Sequence, residues 1–147
     1  MMNMNPYKPP SSSLETPDGK PKNSVWWRSF FWITLIFMLF GVLGLASTKG
    51  LTVLDYADFA LSLIAVVGLY GFAYYKRVGN VVFWRYFFYV TLIETMVFSL
   101  VFPILGVPRY GETTINYWYI FEIAYGLLIL WALHRYAYRS AFVWKSE

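Results

Sequence analysis

The chain has 147 residues, enough for one domain, but 59% of them are apolar, 22% aromatic and only 14% charged. Those proportions exclude an ordinary soluble domain and point to a membrane protein. There is no cysteine, which removes disulfides, thiolate metal sites and thiol redox chemistry. The net charge of +4 is not a nucleic-acid signature, because the basic residues cluster beside hydrophobic segments, where they act as topology determinants.

Residues 1–24 are polar and rich in proline and serine. Such a composition cannot bury enough apolar surface to fold alone, so a disordered tail is expected. The tail lacks the short apolar core and basic start of a cleaved signal peptide. Leu45-Ala46-Ser47 imitates a cleavage site only weakly, so the first apolar segment is expected to be kept.

Four apolar segments follow, each long enough to cross a bilayer as a helix. The first, 25–46, opens on Trp26, Trp27 and Arg28, residues suited to the membrane interface, and carries Thr34, Gly41, Gly44 and Thr48 on one face. The second, 54–75, repeats the pattern with Ser62, Ala65, Gly68 and Gly71 at successive i+3 steps, continuing towards Asp58 and Asp55. Small residues at this spacing let a neighbouring backbone approach closely, so Gly41, Gly44, Ser62, Ala65, Gly68 and Gly71 are expected to mark helix packing. The same faces would also suit a homodimer.

The link 76–80 is short and basic, with Gly79 for the turn. The third segment, 81–102, carries Glu94 about halfway along. An acid at mid-membrane costs about 3 kcal/mol on insertion scales and normally faces protein or a wet cavity. Thr91, Glu94, Thr95 and Ser99 fall at i, i+3, i+4 and i+8, forming one polar arc. A loop bracketed by Pro103 and Pro108 leads to the fourth segment, 117–134, which places Tyr119, Glu122, Tyr125 and Gly126 on one face. Residues 135–147 mix arginines with Tyr136, Tyr138, Phe142 and Trp144 and are expected to continue the helix or lie along the headgroups, aromatics inward. His134, beside Arg135, reads as an interfacial residue, not a ligand. Trp26, Trp27, Trp84, Trp118, Trp131 and Trp144 read mainly as the interfacial belt.

Ten of the twelve basic residues fall on one side of the four spans, namely Lys8, Lys20, Lys22, Arg28, Lys76, Arg77, Arg85, Arg135, Arg139 and Lys145. Only Lys49 and Arg109 fall on the other. The positive-inside rule then predicts that both termini are cytoplasmic and that the loops 47–54 and 103–116 are external. The expected architecture is an all-α, antiparallel four-helix transmembrane bundle spanning 25–134, with the bilayer as its first partner.

The tail Asn5-Pro6-Tyr7-Lys8-Pro9-Pro10 with Leu14-Glu15, and the junction Gly68-Leu69-Tyr70-Gly71-Phe72-Ala73 with Lys76-Arg77 and Phe83-Trp84-Arg85, resemble those of small uncharacterised four-helix inner-membrane proteins of Gram-negative bacteria. The resemblance implies a bacterial inner membrane and brings no reaction with it.

Asp58, Glu122 and Glu94 are the residues that could carry chemistry. At ~1.5 Å per helical residue they fall roughly 6, 10 and 14 Å below the external face, within one half of the bundle. In that position they serve either as a proton or cation relay, with Thr91, Thr95, Ser99, Tyr119 and Tyr125 available to relay or coordinate, or as neutral hydrogen-bonding groups that lock helix packing. No glycine-rich phosphate loop, HExxH, nucleophile elbow or metal-spaced histidine cluster occurs, so no enzyme class, metal or cofactor is expected. The chain is also unlike the small multidrug transporters, whose essential acid lies in the first helix; the first helix here has none. Two function classes follow: a non-catalytic accessory subunit or immunity-type factor contacting another membrane protein or itself, and, as the alternative, a small proton- or cation-coupled transporter.

Overall fold

The computed structural model describes residues 25–105 and 117–144, with the side chain of Trp118 excepted. The expected disordered tail, the loop around Pro108 and Arg109, and the last three residues lie outside the described residues. Among the described residues the only regular secondary structure is helical. We number the helices α1 (Val25–Ser47), α2 (Val53–Tyr74), α3 (Val81–Met96, extended by a π-helical turn Val97–Val101 and a last turn Phe102–Ile104), α4 (Tyr117–His134, extended by a π-helical turn Arg135–Arg139) and α5 (Ala141–Trp144). Four stretches of 23, 22, 24 and 21 residues are long and apolar enough to cross a membrane, which makes this a multi-pass membrane protein by length and composition.

The helix boundaries follow from local chemistry. Thr52 and Asp55 form a reciprocal capping box at the start of α2: Asp55 accepts from the Thr52 N–H at 2.7 Å, and the Thr52 hydroxyl oxygen accepts from the Asp55 N–H at 3.3 Å. The chain leaves α2 through Tyr75, whose φ of 52° is left-handed, and turns again at Gly79 with φ 67°. Asn80 then opens α3 by accepting the Val82 N–H at 2.8 Å.

The helices alternate in direction. The Trp27 ring near the start of α1 stacks on Trp131 near the end of α4 at 4.9 Å, and meets Phe72 near the end of α2 edge-on at 5.1 Å. Trp84 near the start of α3 lies against Gly68 of α2 and packs on Tyr136. The start of α1, the end of α2, the start of α3 and the end of α4 therefore share one end of the bundle, as the antiparallel arrangement requires.

This end holds the core. Leu69, Ala73, Trp84, Ala132, Leu133 and Tyr136 are at most 2% exposed, and Phe30, Phe31, Phe72, Phe87 and Ala137 join the same buried cluster. Two glycines make the packing possible. A methyl at Gly68 would fall 2.5 Å from both Leu133 and Trp84, and one at Gly71 would collide with the Tyr136 hydroxyl. At Gly68 and Gly71 the nearest space is filled by large side chains and not, as expected, by the backbone of a neighbouring helix. Gly41 and Gly44 are corrected: nothing lies within 4 Å of a methyl at either position, so neither brings a neighbour close within this chain. They sit in the half of α1 beyond Thr34, where no residue of the helix is buried.

Trp84 is corrected as well. Its side chain is buried within the bundle, 2% exposed, and its indole N–H donates to the Val78 carbonyl at 2.5 Å. The Tyr136 hydroxyl completes the closure by donating to the Lys76 carbonyl at 2.8 Å and accepting the Val78 N–H at 2.9 Å. Three backbone groups of a link with no secondary structure of its own, the Lys76 carbonyl and the Val78 N–H and carbonyl, are thus satisfied by two buried aromatic side chains. Residues beyond His134 belong to this end of the bundle. Tyr136 points inward, Trp144 donates its indole N–H to the Tyr136 carbonyl at 2.9 Å, and Phe142 meets Tyr75 edge-on at 5.1 Å. Tyr138 stays 39% exposed.

Gly71→Ala is expected to lower stability in mild detergent by roughly 1–3 kcal/mol, because the tyrosine must move off its two backbone partners. Gly44→Ala is expected to be neutral or slightly stabilising, since the methyl enters open space and Ala is the better helix former. Thermal or denaturant unfolding of the two variants side by side measures the difference, and equal losses would contradict the packing described.

Candidate functional site: an acidic cavity in the open half

Beyond the core the bundle encloses a half-open cavity of about 360 Å³. Its floor is formed by the buried residues Thr34, Ala65, Val66 and Thr91, directly above the closed end. Asp58 and Glu94, both half-buried, line its wall, and Glu122 lines it while remaining exposed. Phe37, Met38, Phe59, Phe98 and Ile129 supply apolar surface between the polar groups. Asp58, Glu94, Glu122, Thr91, Thr95, Ser99 and Tyr125 therefore line one cavity, together with Ser62 and Ala65 from α2.

The two threonines of the floor have a defined polarity. Thr34 donates its hydroxyl proton to the Phe30 carbonyl at 2.8 Å, and Thr91 donates to the Phe87 carbonyl at 3.0 Å. A threonine whose proton is committed to its own helix keeps oxygen lone pairs as acceptors, and the Thr34 oxygen already takes a hydrogen bond from the Tyr125 hydroxyl. With the three acids this gives acceptors from all four helices: Thr34 on α1, Asp58 on α2, Thr91 and Glu94 on α3, and Glu122 on α4. Such a lining favours a proton or another cation and disfavours an anion. The acids are spread around the space and not gathered into a chelating set. Among the described residues no group of three His, Asp or Glu side chains is close enough to hold a metal ion.

Tyr119, expected to join the polar group, is not in the cavity lining. Its hydroxyl donates to the Ser99 carbonyl, and the reason lies in the sequence. In a regular helix the Ser99 carbonyl would accept the N–H of residue 103, but Pro103 has none, and its ring crowds that same carbonyl. Relief appears one turn earlier as the π-helical Val97–Val101, which the Phe102 N–H closes by donating to the Val97 carbonyl. Tyr119 satisfies the oxygen that Pro103 strands. Pro103 was expected to end the third helix, yet α3 continues through it to Ile104.

Tyr125 is half-buried beside the rings of Phe30, at 5.6 Å, and Phe37, at 6.3 Å, which seats it between α1 and α4. α3 and α4 face each other at the level of the acids, where a methyl added at Gly126 would lie at ordinary contact distance, 3.7 Å, from Thr95 Cγ2. Phe37, Phe59 and Phe98 were not expected as cavity walls, whereas the sequence places the floor residues Thr91, Ala65 and Thr34 on the polar arc of α3 and on the small-residue faces of α2 and α1. His134 lies between the rings of Phe88, at 5.4 Å, and Tyr138, at 5.2 Å. No family model, curated protein or solved structure matches this chain.

Tyr119→Phe is expected to cost about 1–3 kcal/mol, the range for stranding a buried acceptor. Adding Pro103→Ala restores an N–H for Ser99 and should recover most of that loss. A double-mutant cycle read by unfolding in detergent checks this, and strict additivity of the two changes would contradict the partnership.

Proposed function

We propose that the protein is a small proton- or cation-coupled transporter of the bacterial inner membrane in which Glu94 and Glu122 exchange charge as the cargo passes. It performs no covalent reaction. One observation carries the reading: each of the four helices contributes an acceptor to a single cavity of about 360 Å³, with three of those acceptors carboxyl groups. Carboxyl groups are costly at membrane depth, and interhelical hydrogen bonds average only about 0.6 kcal/mol, so packing alone is a poor return for three of them. Asp58 and the hydroxyls of Thr91, Thr95 and Ser99 would pass or coordinate the cation between the two glutamates.

Placement in the bacterial inner membrane rests on the resemblance of the tail and of the second-to-third helix junction. Cytoplasmic termini rest on the ten-to-two division of basic residues in the sequence. In that orientation the closed end faces the cytoplasm and the cavity lies in the external half.

The accessory or immunity-type reading draws on a different feature. Gly44 lies on an exposed stretch of α1, outside the cavity lining and with nothing within 4 Å of an added methyl, a surface that a helix of another membrane protein could approach.

Both readings are tested on one preparation, the purified chain reconstituted in vesicles. The transporter reading predicts proton or cation flux that depends on pH between about 5 and 8, and its loss in Glu94→Gln, which keeps a hydrogen-bonding shape but cannot titrate. The variant should still fold. Wild-type vesicles with no flux above empty liposomes across that range would remove the transporter reading. A stoichiometric membrane protein that co-purifies in mild detergent would then favour the accessory one.

A further inference from the structure

The closed end carries Arg28, Lys76, Arg77, Arg85, Arg135 and Arg139, whereas the acids among the described residues, Asp55, Asp58, Glu94 and Glu122, all lie in the other half. Several of these cations rest on aromatic rings at the outer edges of the bundle. Arg85 Cζ lies 5.3 Å from the ring centroid of Tyr138, joining α3 to α4, and Arg135 Cζ lies 4.7 Å from that of Trp131, whose ring stacks on Trp27 of α1. A guanidinium against a ring face is held in place while its N–H edges stay available, the geometry suited to bidentate contact with a phosphate.

Each of these arginines also tops an exposed apolar stripe on its own helix. Below Arg85, Tyr89 and Ile93 follow at i+4 and i+8 and are 52% and 63% exposed. Below Arg135, Trp131 and Leu128 follow at i−4 and i−7 and are 44% and 39% exposed. A fixed cation above a strip of hydrocarbon is the complement of one phosphate above an acyl chain. We propose that Arg85 and Arg135 are two seats for anionic phospholipids, each guanidinium holding the phosphate while an acyl chain runs down the stripe beneath it. The positive charge of this end selects anionic over zwitterionic lipid, since a zwitterionic headgroup brings its own cation against the arginines. The seats are separate from the acidic cavity and do not depend on what the cavity carries.

Native mass spectrometry of the full chain in detergent tests the proposal, with phosphatidylglycerol, phosphatidylcholine of the same acyl chains, or inorganic phosphate added. Phosphatidylglycerol should be retained at about fivefold or greater preference over phosphatidylcholine, and each of Arg85→Gln and Arg135→Gln should weaken retention about fivefold. Lys49→Gln, the same charge change at the opposite end, should leave retention unchanged. Equal retention of the two lipids by the wild-type chain would overturn the proposal without reference to any variant. So would unaltered phosphatidylglycerol retention by a folded Arg85→Gln/Arg135→Gln chain, or displacement of the lipid by inorganic phosphate at the same concentration, which would mark a phosphate site that takes no account of the acyl chain.

Discussion

The close approach at Gly68 and Gly71 is the constraint on which the rest of the structure depends. Because neither residue carries a Cβ, Trp84 and Leu133 press against α2 at one level and the Tyr136 hydroxyl presses against it one turn further on. Both aromatic side chains then reach the link between α2 and α3 and satisfy its backbone, so the turn at Gly79 is fixed by groups from two different helices. Within a membrane there is no hydrophobic drive to bring helices together, and contacts of this kind, with van der Waals packing at small residues, are what remain. The buried cluster is concentrated at this end as a result.

A bundle closed at one end need not close at the other, and among the described residues the core is confined to one end. Above Thr34 and Thr91 the space between the helices holds the cavity. There, α3 departs from regular geometry where Pro103 removes a donor, and Tyr119 reaches across from α4 to repair the loss. That repair ties the two helices that carry Glu94 and Glu122. The same two helices face each other again nearer the middle, at Gly126 and Thr95. The acids thus stand on a pair of helices that face each other at two levels, while the α1 wall is held to α4 by aromatic contacts of Phe37 with Phe121 and Tyr125.

The four spans and their alternation were readable from apolar run length and turn residues, because a bilayer leaves few alternatives to a helix of about twenty residues. That Asp58, Glu94 and Glu122 fall in the same half of the bundle was readable for a related reason: once spans and directions are known, rise per residue sets depth. What one dimension could not supply was which side of each helix meets which neighbour. Small residues mark a face able to pack but carry no record of whether anything packs there, so Gly68 and Gly71 looked the same as Gly41 and Gly44. Trp84 looked like an interfacial anchor because tryptophan near a helix start usually is one. Only the space at Gly68 and the unsatisfied carbonyl of Val78 explain its burial, and both are properties of the folded link. Tyr119 could have been assigned from Pro103 alone, since a proline within a span always strands the carbonyl four residues earlier.

One end of the chain is closed and buried, and the acidic half, as proposed, is open to water from the external side. Because the chain contains no cysteine, a single introduced thiol reports on one place. Ser62→Cys and Ser99→Cys put a thiol in the cavity lining, and Ser140→Cys puts one in the buried closed end, where Ser140 is 3% exposed. With a charged, membrane-impermeant thiol reagent added outside intact cells, the account predicts that the two cavity thiols react and the Ser140→Cys thiol does not. Cavity thiols as unreactive as that at position 140, or reactive only when the reagent is given access to the cytoplasmic side, would contradict it.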